Sequence, residues 1–90
     1  MKEYFYKNLQ EKLDDLTEFP SVYMFKFIIP ADNHKLALVE ALFGDEAILT
    51  TRQSKTNKFI SITAKEMMTS SAQIIKIHQE AEKVEGIIQL

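Results

Sequence analysis

The stretch between Pro20 and Pro30 constrains this chain most. Ser-Val-Tyr-Met-Phe-Lys-Phe-Ile-Ile is dense in β-branched and aromatic residues and reads as a strand over residues 21–29. Alternation puts Tyr23, Phe25, Phe27 and Ile29 on one face and Val22, Met24, Lys26 and Ile28 on the other. Both faces are largely apolar, so the strand belongs in the middle of a sheet with something packed on each side. The prolines bound it. Pro20 drives its predecessor out of the α region, and Pro30 has no N–H with which to extend a ladder.

The remaining elements follow from periodicity and caps. Over residues 2–17, Phe5, Leu9, Leu13 and Leu16 recur at intervals of four, four and three, the stripe of an amphipathic helix. After Pro30, Asp32 suits an N-cap, Leu36, Val39, Leu42 and Phe43 supply an inward face, and Gly44 suits a C-terminal cap. Residues 47–54 and 58–65 read as a hairpin turned by Lys55-Thr56-Asn57, with Ile60, Ile62 and Ala64 alternating with Phe59, Ser61, Thr63 and Lys65. Ser70-Ser71-Ala72-Gln73 fits a capping box, with Gln73 reaching back to the N–H of Ser70. The helix it opens carries Ile74, Ile77, Ala81 and Val84 up to Gly86, and residues 87–90 make a short last strand.

Set apart from the first helix, the order is β-α-β-β-α-β. Short right-handed connections close this into a two-layer α+β ferredoxin-like sandwich, with an antiparallel sheet in the order 4-1-3-2 and both helices on one face. Residues 1–18 form an additional N-terminal segment and residues 19–90 the domain. On the other sheet face, Val22, Met24, Ile28 and Phe59 make an apolar patch that needs a cover. The Phe5-Leu9-Leu13-Leu16 stripe is the nearest candidate, from the same chain or from a second subunit.

Composition narrows the function classes. The 90 residues fit one core, and 46% hydrophobic with 27% charged residues is globular rather than disordered. Eleven Lys+Arg against 13 Asp+Glu give a net charge of −2, which disfavours a phosphate-backbone partner. With no Cys, disulfides, thiolate ligands and a cysteine nucleophile are excluded. The first residues lack the apolar run of a signal peptide, and no stretch is apolar enough to span a membrane, so a cytoplasmic location is expected.

At Leu16-Thr17-Glu18-Phe19-Pro20, Phe25-Lys26-Phe27 and Phe59-Ile60-Ser61-Ile62-Thr63 the chain resembles the YbeD-like family of uncharacterised bacterial proteins, domain of unknown function 493. In that family a Phe-Pro pair precedes a Phe/Tyr-Lys-Val strand and an aromatic-x-Ser-Val-Thr strand follows. The resemblance covers about residues 16–90. It implies the βαββαβ fold and a likeness to ACT-type ligand-binding regulatory domains, and it implies no catalysis. Pro30 stands where the family usually carries Gly after its first strand, which argues against a ligand held by backbone N–H groups at that turn. The long N-terminal helix also exceeds the family minimum.

The chemistry-bearing residues point the same way. His34 and His78 match no metal-ligand spacing; His34 reads as a solvated loop residue, and His78 with Glu82, one helical turn on, as a surface pair. Asp14, Asp15, Glu18, Glu80, Glu82 and Glu85 lie on polar helix faces, where no carboxyl is desolvated for acid-base work. Ser61, Ser70 and Ser71 lack a nucleophile-elbow context. The strand order is that of RNA-recognition domains, but Phe59 has Ser61 and Thr63 where further stacking rings are needed. Lys26 stands alone among apolar neighbours, to lay its stem across the sheet or to hold an anionic group. The expected function is therefore a non-enzymatic regulatory or protein-interaction domain without cofactor or metal. It would dimerise or bind a partner protein through Val22, Met24, Lys26 and Phe59. The alternative is a small-metabolite sensor for an amino acid or carboxylate.

Overall fold

The computed structural model describes residues 2–90, and residue 1 of the expected N-terminal segment lies outside them. The elements run α1 (Lys2–Leu16), β1 (Ser21–Pro30), α2 (Asn33–Glu40), β2 (Ile48–Gln53), β3 (Phe59–Met68), α3 (Ser71–Ala81) and β4 (Ile88–Gln89). The sheet order β2-β3-β1-β4 is the expected one, with every neighbouring pair antiparallel. This is a ferredoxin-like sandwich preceded by a helix.

β1 is central because its alternate residues form the core floor. Phe25, Phe27 and Ile29 are fully buried, together with Ile62, Ala64 and Met68 of β3. Helices α2 and α3 cover this face through Val39, Ile74, Ile77 and Ala81, while Phe43 meets the Phe25 ring edge-on at 5.2 Å. β3 runs on past residue 65 to Met68, since Met67 and Met68 pair with Val22 and Ser21. Glu66 is of a type depleted in strands, and long-range pairing with the full length of β1 decides the end.

The caps form with two differences. Asp32 Oδ1 accepts from the N–H groups of His34 at 2.7 Å and Lys35 at 3.1 Å, which holds the Asp32 carboxyl below the usual aspartate range. Ser70 Oγ accepts from the Gln73 N–H, but Gln73 Oε1 takes the N–H and hydroxyl of Thr69 instead of the Ser70 N–H. Gly44 lies beyond the end of α2 and does not cap it in the left-handed region. Its N–H donates to Glu66 Oε2 at 2.8 Å, and a Cβ there would meet that same oxygen at 2.9 Å. Gly86 does take a left-handed φ of 82°, close against Pro30.

α1 corrects the expected cover. It packs on α3, in the helix layer, and not over the opposite sheet face. Its buried side chains are Tyr6 and Leu13 with Leu9 partly covered, while Phe5 and Leu16 of the expected stripe are 61% and 84% exposed. The inward stripe is rotated by one residue at its start because Tyr6 carries a hydroxyl that finds acceptors on α3: it donates to Glu82 Oε2 at 3.1 Å and lies 3.4 Å from the His78 carbonyl. Asp14 accepts a short hydrogen bond from the Ser71 hydroxyl and ties the other end of α1 to the start of α3.

Candidate functional site

With α1 on the helix side, the second face of the sheet is open. The register places Val22, Met24, Lys26 and Ile28 of β1 beside Met67, Lys65, Thr63 and Ser61 of β3, in that order, and β2 adds Ile48, Thr50 and Arg52. Ile88 of β4 pairs with Ile28. Val22, Met24 and Phe59 are 59%, 48% and 46% exposed, so the expected shielding of this face is not supplied by the chain itself. The sequence-predicted residues therefore share one face but form no single cluster. Phe59 stands opposite Pro30, six residues along β1 from Met24 or about 20 Å.

Residues that complete the face were not singled out by sequence. Met67, Ile48 and Ile88 are exposed there, and Lys65 and Arg52 join Lys26 as its cations. The signal for Met67 was period-2 alternation continuing beyond residue 65. Ile48 and Arg52 became neighbours of β1's face only through the β2–β3 register. At the Phe59 end, Ile28, Arg52 and Ser61 border a shallow hollow of about 300 Å³.

A second concavity, of about 460 Å³, lies between α1, α3 and the end of β4. Phe5, Leu9, Tyr23 and Leu90 make its walls, and Tyr6, His78, Glu82 and Gln89 contribute polar groups. Burial, the Glu82 hydrogen bond and the Glu82 charge all push the Tyr6 hydroxyl above the usual tyrosine range, which keeps it a donor; burial does the same for Tyr23.

The histidines fall on opposite sides of expectation. His34 is exposed in the first turn of α2 rather than in a loop. His78 is buried, not a surface partner of Glu82: its ring packs against Tyr23, Phe25 and Phe27, and Nδ1 bonds Gln89 Oε1 at 2.6 Å. Among the described residues no three His, Asp or Glu side chains gather in a way that could hold a metal ion, and no helix is long and apolar enough to cross a membrane.

Two relatives match over most of their length. Proteins called UPF0250 protein from Shewanella piezotolerans and from Shewanella halifaxensis are each 29% identical over 83 residues, covering 88% of this chain and 94% of the relative. No solved structure matches the chain. A family model described as protein of unknown function (DUF493) matches residues 14–90, which spans β1 to β4 and the end of α1. By that match, the chain belongs to the DUF493 family.

Proposed function

We propose that this chain is a non-enzymatic protein-interaction module that docks a partner chain on the open face of its sheet. The supporting observation is the exposure of Val22, Met24, Phe59 and Met67 on the two central strands, where side chains are held rigidly and contribute little to the core beneath. Apolar patches of this kind on a small domain mark association surfaces. Regulation would follow from occupancy of the face.

The test is a photo-crosslinking amino acid placed at Met24 on the open face and, as a control, at the exposed Ala72 of α3, in the native host. Adducts from position 24 that disappear in the Val22→Asp/Met67→Asp variant are expected, with position 72 silent. Equal yields at both positions, or adducts indifferent to the paired substitution, would remove the proposal. A second reading, small-molecule sensing, draws on the cavity of about 460 Å³ beside Tyr6 and Tyr23, a volume within the range of ligand pockets. Under that reading, amino acids or carboxylates raise the melting temperature by mass action on the native state, and the Tyr6→Phe variant responds less.

A further inference from the structure

We infer that the partner seated on the open sheet face is an acidic amphipathic helix of another protein. This rests on the docking reading above and adds its chemistry. Lys26, Lys65 and Arg52 lie on the face, and among the described residues no Asp or Glu of a strand does. Among the described residues Glu66 is the one acidic residue on a strand, and the register turns it to the helix side, where it accepts from the Gly44 N–H. The other acidic residues all belong to helices, caps and connections. In a chain with a net charge of −2, the charged side chains that the described strands place on this face are thus all cations.

Lys65, beside Met24, and Lys26, beside Thr63, occupy the middle of the surface, and Arg52, beside Ser61, lies in the row of Ile28 and Ile88. Apolar side chains lie toward both ends, Val22 and Met67 at one and Ile28, Ile88 and Phe59 at the other. Four strands spaced by about 4.8 Å give a width near 15 Å, and the ten-residue β1 is about 33 Å long. One helix of about 10–12 Å diameter fits that area. Laid along β1 and β3, its apolar stripe covers the aliphatic side chains and fills the hollow beside Phe59, while flanking carboxylates reach Lys26, Lys65 and Arg52.

Other occupants fit less well. A second copy stacked face to face would set these cations against their own counterparts. A nucleic acid would satisfy the cations but leave Val22, Met24, Ile48 and Met67 without apolar contact, and among the described strand residues Phe59 is the single ring on the face for base stacking.

Fluorescence anisotropy with two synthetic helical peptides of about 18 residues tests this, five turns sharing one leucine stripe and flanked by Glu in one and by Lys in the other. At low salt the Glu peptide is expected to bind about tenfold or more tighter than the Lys peptide, the scale that three exposed ion pairs supply. The preference should invert in the Lys26→Glu/Lys65→Glu/Arg52→Glu variant, whose fold is checked by circular dichroism. Failure of the Glu peptide to bind, equal affinity for the two peptides, or tighter binding of a single-stranded oligouridine would each overturn the acidic-helix inference. Equal affinities that are both lost in Met24→Asp would leave the docking face standing; binding indifferent to Met24→Asp would remove the docking reading as well.

Discussion

The His78 imidazole sits with its centroid 5.2 Å from that of Phe25 and 6.4 Å from that of Phe27, deep in the layer between α3 and β1. Its tautomer follows from Gln89. The Gln89 Nε2 donates to the His78 backbone carbonyl at 3.1 Å, which a carbonyl oxygen requires, so Oε1 faces the ring and Nδ1 must be the donor. The ring Nε2 is buried without a hydrogen-bond partner, among aromatic rings. Such an arrangement makes the pair asymmetric to substitution. Gln89→Leu strands the buried ring N–H, while the His78 carbonyl keeps the Glu82 N–H at 3.0 Å, and should cost about 1–3 kcal/mol, whereas His78→Phe together with Gln89→Leu should recover part of that loss because the ring's unmet N–H is gone. Urea denaturation of the three proteins measures it, and equal losses in the single and double variants would contradict the Nδ1–Gln89 bond as the source of the cost. The burial of His78 was legible in one respect: it lies four residues after Ile74 and three before Ala81, on the face that α3 turns inward.

At the scale of elements, α1 decides what the sheet can offer. Its sequence holds two overlapping stripes, Phe5-Leu9-Leu13-Leu16 and Tyr6-Leu9-Leu13, both at helical spacing. The second is the one used, since only Tyr6 places a hydroxyl against Glu82 and the end of α3. The consequence is measurable within one helix. Leu13→Ala should destabilise the fold by about 2–5 kcal/mol, and Leu16→Ala, at an exposed position, should stay within about 0.5 kcal/mol. Thermal or urea unfolding separates the two, and similar losses would return α1 to the stripe that the periodicity first favoured. β1 and β3, by contrast, were legible almost residue by residue: alternation named the buried Phe25, Phe27, Ile62 and Ala64 correctly, because a period of two leaves no adjacent alternative.

Across the whole molecule, charge is sorted by layer. Acidic residues populate the helix side and its connections, while the open face holds Lys26, Lys65 and Arg52 amid exposed aliphatic groups. Like charges at this spacing keep two open faces apart while leaving an oppositely charged surface free to approach. Replacing all three cations by Gln should therefore turn the face into a self-complementary apolar surface. Sedimentation velocity is expected to show concentration-dependent association of Lys26→Gln/Lys65→Gln/Arg52→Gln under conditions where the parent chain stays monomeric. A parent that already associates through this face, or a variant that does not associate, would contradict the argument.

Element order, the central place of β1, the sheet order and the absence of cysteine chemistry were all present in the residues themselves, because local spacing, caps and short connections admit few closures of β-α-β-β-α-β. Which stripe of α1 turns inward, the burial of His78 and the exposure of Met24 and Phe59 were decided only by tertiary packing. The physical reason is that an apolar side chain announces a preference for contact without naming its partner. α3 offered Tyr6 a carboxylate and a backbone carbonyl as well as apolar surface, and the open face had nothing equivalent to hold the helix there.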